Sequence, residues 1–475
     1  MITSFSEKGD MCMRLFNLLK VERIPAYTAI ASVLILCSPV ISFCAETDTL
    51  AKSSPADIAL RAAADGKIAY KLTTPDELKA LLGPAENEAV RNDGGMEILD
   101  VRYSNVKARF GRMRDFSAPF TLLWINAEGK WIDIGKDRQI VLRNDGDLNR
   151  FDSFWGLANV SLAHVDLRRH IELLKKMPFD SRTVWPESDK LPKGFDPAAL
   201  LEEGKNPGLG VRSLHEQGID GRGVTIAIID QPLLRDHMEY ADRLTEYEPV
   251  GLLTAMASPK MHGPPVCSIA VGKTCGVAPK ASLRYFAVQM WVPDNKPYCY
   301  VIDKLIDFNK DKDISQQIRV VSISTGMFRQ QANFDLWQET LVRAEKNGVL
   351  VVTCHSAFLQ YGTLERIPGQ DPDKASSYRR GRYGRRENVL HIPAGNRTIA
   401  SHHGPDVYTF DRTGGMSWAA PYLAGLAALA YQVKPQIDPK TIVDLWLKTA
   451  TQSDAGPMIV NPVGFIEAVR KTEMK

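Results

Sequence analysis

The sequence predicts an α/β protein: a parallel sheet covered by helices on both faces, preceded by a smaller α+β region. Three observations carry this. Short, continuous apolar runs occur at residues 224–229, 282–288, 320–323 and 349–352, each bounded by turn residues, as strands buried on both faces require. Helical patterns lie between them. One spans 335–347, with Leu336, Trp337, Leu341 and Ala344 on one side and Gly348 as its stop. Upstream of a Pro-, Gly- and Lys-rich stretch at 185–210, which reads as an interdomain linker, the texture shifts to short helices and alternating strands.

With 475 residues and 44% hydrophobic composition, the chain exceeds one ordinary core, and two to three domains are expected. The division predicted is 1–45 as a leader, 46–200 as an accessory or propeptide-like domain, and 201–475 as the main domain. Arg14, Lys20 and Arg23 precede an apolar stretch at 26–43, and Glu46, Thr47 and Asp48 follow it, which is the layout of a secretory signal. A start at Met11 or Met13 gives a leader of more usual length, and Ser42 and Cys44 supply small residues for cleavage after Cys44. Two alternatives are an uncleaved anchor, since the stretch approaches the roughly 18 to 20 residues of a spanning helix, and a lipidated Cys44. Export to the periplasm, cell envelope or medium is the expectation.

Within 46–200, Thr74 as N-cap, Pro75 at the first position, Glu77 completing a capping box and Gly83 as stop predict a short helix. Residues 96–110 contain alternating strand patterns. Residues 120–126 and 130–134 around Ala127-Glu128-Gly129 read as a hairpin. Leu157, Leu162 and Leu167 recur regularly, but too few units follow to stack as a coil.

A net charge of +3 creates no global field for nucleic acid or a membrane surface, so neither is an expected partner, the membrane entering only through an uncleaved leader. The densest basic run, Arg379, Arg380, Arg382, Arg385 and Arg386 with Tyr378 and Tyr383, reads as a solvated loop, with a polyanion patch as the alternative. Four cysteines lie beyond the leader, Cys267, Cys275, Cys299 and Cys354. Disulfides and buried free thiols are both open, as is the oligomeric state. No His-x-x-His, Cys-x-x-Cys or acidic calcium-loop pattern occurs, so no metal site or cofactor is expected; structural calcium is not argued from the sequence.

In a parallel sheet, functional groups collect at the carboxyl ends of strands. Asp230 closes the run VTIAIID at such an end. His262 precedes Gly263 and a small-residue stretch suited to a buried helix. Ser417 sits in TGGMSWAAPYLAGLAALA, where glycines permit a tight turn and small side chains let a helix pack deep, with Pro421 expected in the first turn. Each residue alone has a structural explanation. Together they supply a hydroxyl nucleophile, an imidazole to take its proton, and a carboxylate to orient the imidazole.

These segments resemble the subtilisin-like serine protease (subtilase) family. GRGVTIAIIDQP is similar to its Asp strand, MHGPPVCSIAVGKTCGVAPKASLRYFAV to its His helix and following strand, VVSISTG to its substrate-binding strand, and GGMSWAAPYLAGLAALA to its Ser motif. IPAGNRTIAS resembles its Ala-Pro-Gly segment, and the likeness runs from about residue 201 to the C-terminus. The resemblance implies a subtilisin-like fold with Asp230, His262 and Ser417 as a catalytic triad and no cofactor. It also implies a polypeptide substrate lying along Ser324, Thr325 and Gly326.

Departures accompany the likeness. After His262-Gly263 stand Pro264, Pro265, Val266, Cys267 and Ser268, and Met416 and Trp418 flank Ser417. The family's oxyanion Asn is replaced within TCHSAF, where His355 and Ser356 are the candidate donors; the Gly395-Asn396 pair belongs to another segment. The expected function is an exported serine endopeptidase. The alternative is a degenerate protease-like module that binds peptide or protein with little turnover, and an esterase or transferase is a third class.

Overall fold

The computed structural model describes residues 53–93, 96–113, 119–151, 156–253, 256–355, 359–383, 389–452 and 457–473. The leader lies outside these residues. Near the N-terminus, helices Pro55–Ala64 and Pro75–Leu82 cover an antiparallel meander of Asn87–Asp93, Met96–Tyr103, Val106–Met113, Thr121–Ala127 and Lys130–Trp131. The expected capping box is present: the Thr74 hydroxyl accepts from Glu77 N at 3.3 Å, and Glu77 Oε2 accepts from Thr74 N at 2.8 Å. A second box, on Ser54 and Asp57, escaped the sequence reading. Glu128 and Gly129 both take positive φ (52° and 80°), the left-handed pair that a tight hairpin turn needs.

The stretch expected to be a linker is built into the body instead. Asp196 caps a helix at Pro197–Gly204, Thr398 Oγ1 donates to Leu201 O at 2.6 Å, and the Trp185 ring packs against Phe179 and Phe195. Aromatic and aliphatic anchors set among the prolines and glycines outweigh the breaker composition. Strand Phe179–Asp180 pairs antiparallel with Tyr408–Asp411, and Arg412 donates to the carbonyls of Leu174 (2.7 Å) and Met177 (3.1 Å). Leu157, Leu162 and Leu167 are all fully buried in this region's core.

The four continuous apolar runs are strands of one five-stranded parallel sheet, ordered Leu244–Pro249, Ser282–Ala287, Thr225–Asp230, Val320–Ile323, Leu350–Thr353. Alternate side chains leave opposite faces. Ile226 and Ile228 enter a core with helices Gly263–Val271 and Met416–Val433, whereas Ala227 and Ile229 enter one with Lys296–Asn309 and Phe334–Lys346. A second small sheet pairs Tyr361–Arg366 with Leu390–Gly395 in parallel. The central strand is therefore sealed on both faces, and its open carboxyl end is where chemistry can be placed.

Helix Met416–Val433 reaches this depth because of its small residues. A Cβ on Gly425 would stand 2.6 Å from Val277 Cβ. Gly425→Ala is therefore expected to destabilise the protein by about 1–3 kcal/mol through overpacking, read as a lower urea midpoint with an unchanged m-value.

Candidate active site

Asp230 ends the central strand with no solvent exposure. A carboxylate in such a place needs donors. Oδ1 accepts from Gln231 N at 2.7 Å and lies 2.7 Å from His262 Nδ1; among the described residues Oδ2 has no hydrogen-bond partner. His262 is the N-cap residue of Gly263–Val271, a helix buried along its whole length. Glycine follows the histidine for a steric reason: a Cβ on Gly263 would lie 2.6 Å from Tyr285 Oη and 3.0 Å from Gln231 O. The helix thereby starts against the end of the Asp230 strand, and the His262 side chain keeps 14% exposure.

Ser417 is the second residue of its helix, which starts after Gly414 in the left-handed region (φ 52°) and Gly415. Because the helix begins at Met416, Pro421 falls inside it rather than in its first turn. The residue at 421 would normally donate to the carbonyl of residue 417, and proline has no N–H. Ser324 takes over that bond: its hydroxyl donates to Ser417 O at 2.9 Å, while Ser417 Oγ donates to Ser324 O at 3.1 Å. This reciprocal pair ties the Ser417 helix to the residue after strand Val320–Ile323. Ser417 Oγ also lies 3.9 Å from Cys354 Sγ. In this conformation the hydroxyl bonds to Ser324 and not to His262.

Two forces compete at His262. Burial disfavours the imidazolium, while the charge of Asp230 and its hydrogen bond favour it, and the net shift is upward. Burial raises the Cys354 thiol to about 12 against the opposing Ser417 contact, so it stays protonated at neutral pH. Cys267, Cys275, Cys299 and Cys354 are all buried free thiols.

The other predicted residues border the site. Ser324 is buried, Thr325 O accepts from Cys354 N at 3.1 Å, and Gly326 is buried beside His355, whose Nδ1 would sit 2.4 Å from a Cβ there. His355 is exposed, its ring 4.9 Å from that of Phe328. Ser356 lies outside the described residues. Among the described residues no group of three or more His, Cys, Asp or Glu is placed to hold a metal.

Two residues beside the site were not singled out as functional by sequence. Trp418 packs its ring 5.3 Å from that of His262, and its Nε1–H donates to Asp411. Cys354 touches the serine hydroxyl. Trp418 carried one signal, as a departure from the usual residue after the serine.

Peptidase S8, the subtilase family, matches residues 221–357. Over these residues the chain is similar to that family. The match takes in Asp230 and His262, while Ser417 lies beyond it. A subtilisin-like protease, PopC of Myxococcus xanthus (strain DK1622), is 25% identical over 305 residues, covering 55% of this chain and 62% of its own. Among solved structures, the A-subunit of the AB5 toxin from E. coli is similar at 15% identity and a TM-score of 0.45, covering 56% of this chain and 99% of that one. The prenylagaramide maturation protease PagA is similar at 17% and 0.41, covering 55% and 98%.

His262 is expected to titrate above the ordinary value of 6.5, and Asp230→Asn to lower its pKa, both read from its imidazole resonances against pH. A raised histidine pKa contributes stability that is complete below the ordinary value and lost as pH climbs through the raised one. Asp230→Asn should therefore cost more stability at pH 5 than at pH 9.

Proposed function

We propose that this chain is an exported serine endopeptidase in which Ser417 attacks the scissile carbonyl, His262 acts as general base and then acid, and Asp230 orients the imidazole. The observation that carries the reading is the 2.7 Å contact between His262 Nδ1 and Asp230 Oδ1 at the carboxyl edge of the parallel sheet, with the Ser417 helix packed on the same face. A carboxylate on Nδ1 leaves Nε2 as the proton acceptor, which is the tautomer a serine needs. The polypeptide substrate runs along Ser324–Gly326. The Ser417 backbone N–H is one oxyanion donor, and His355 or Ser356 supplies the other. No cofactor takes part. The leader at 1–45 directs export to the periplasm, envelope or medium. Residues 46–200 stay at least partly with the peptidase, a reading supported by Arg412, upstream of Ser417, which donates to the carbonyls of Leu174 and Met177.

One observation favours the alternative, a protease-like module that binds peptide or protein with little turnover: the Ser417 hydroxyl is bonded to Ser324 O. Hydrolysis of an unfolded protein substrate by leader-free protein, beside folded Ser417→Ala and His262→Ala variants, separates the two. The enzyme reading expects cleavage by wild type alone; no cleavage, or equal cleavage by all three, removes it.

The oxyanion assignment has its own test. Loss of one donor costs on the order of 100 to 1,000-fold in turnover. One of His355→Ala and Ser356→Ala is expected to show a fall of that size with little change in KM, and full turnover in both would discard these donors.

A further inference from the structure

Trp418 occupies an unusual place, directly after the proposed nucleophile and against the proposed base. Its ring centroid is 5.3 Å from that of His262, with the planes 37° apart, and the residue is 7% exposed. The indole is held from behind. Its Nε1–H donates to Asp411 Oδ2 at the end of strand Tyr408–Asp411, and Thr413 N donates to the other carboxylate oxygen at 3.3 Å. Arg397 is the register partner of Asp411 on the neighbouring strand.

We propose that Trp418, clamped by Asp411, is a positioning residue for His262: its ring, 5.3 Å from the imidazole, stabilises the imidazolium. The inference rests on the general-base reading of His262 given above. The physical basis is general. A cation within about 6 Å of an indole centroid is attracted by the negative ring face, more strongly once water is excluded. In a serine mechanism the imidazole becomes charged as the hydroxyl proton arrives, so a wall that favours the charged form acts where charge develops. The residue that follows the nucleophile in its helix thus packs against the base, coupling the two.

Other groups near the Asp230–His262 pair do not supply this. Asp230 faces it from the strand and is the charged group bonded to it. Cys267 on its own helix, and Tyr285 and Tyr298 from neighbouring elements, are kept neutral by burial, which pushes their ionisation upward. Cys354, beside Ser417, is likewise protonated. Asp411 stands behind the indole, its carboxyl raised by burial against the pull of the Trp418 and backbone donors.

The test reads the pKa of His262 from its imidazole resonances in the full leader-free protein, a measurement that needs no turnover. Trp418→Leu removes the ring face and is expected to lower that pKa by about half a unit. Since a buried tryptophan can be needed for folding, the deciding series replaces Trp418 with mono-, di- and trifluorinated tryptophan. These keep shape and the Nε1–H while draining charge from the ring face. A stepwise fall with each added fluorine supports the proposal. A flat response in folded protein overturns it, because a merely structural tryptophan would be insensitive to fluorination. Failure of wild type to hydrolyse the unfolded substrate would remove the functional reading while leaving this titration interpretable.

Discussion

Burial of the Asp230 carboxylate is the constraint from which the site follows. A charge with no solvent exposure at the end of an apolar strand is costly unless it is paired and hydrogen-bonded. His262 and the Gln231 N–H meet that demand at Oδ1. To bring the imidazole there, a helix must begin against the strand end, which excludes any side chain at Gly263. Removing the imidazole alone would leave an uncompensated buried charge, a loss of about 3–5 kcal/mol in comparable pairs. Fold stability and site geometry are thus one arrangement seen from two sides.

The second constraint is Pro421. By withholding an N–H from the Ser417 carbonyl it frees that oxygen for the Ser324 hydroxyl, which locks the start of the Ser417 helix to the strand beside Asp230. The same junction draws Ser417 Oγ to the Ser324 carbonyl. Catalysis requires the hydroxyl to exchange that acceptor for His262. Hydrogen bonds to a base are often completed only when substrate arrives. Trp418, the residue after Ser417, packs its ring 5.3 Å from the imidazole.

Much of this was legible in the sequence because the signals are local. Strands buried on both faces read as unbroken apolar runs, and the helix at Phe334–Lys346 falls within a residue of its expected bounds. The resemblance to subtilases is legible in local motifs. What escaped depends on distant partners. Breaker composition marked 185–210 as a linker, yet Trp185, Phe195 and Leu201 are anchored by Phe179 and Thr398, and no local pattern reports such contacts. A helix opened by Ser417 would hold Pro421 near its first turn, where a missing N–H is harmless; the helix begins at Met416, and the missing N–H falls in its interior. Trp418 stood out only as an atypical neighbour of serine; its approach to His262 exists in three dimensions alone.

The central claim is that the Asp230–His262 pair activates Ser417. Labelling of folded, leader-free protein with a fluorophosphonate probe tests it most directly, because the probe reports an activated serine whatever the natural substrate, and mass mapping locates the adduct. The account predicts an adduct on Ser417 in wild type, at a rate that rises as pH passes the raised pKa of His262, and none in His262→Ala. An unlabelled Ser417 in folded wild type with an open cleft would contradict it.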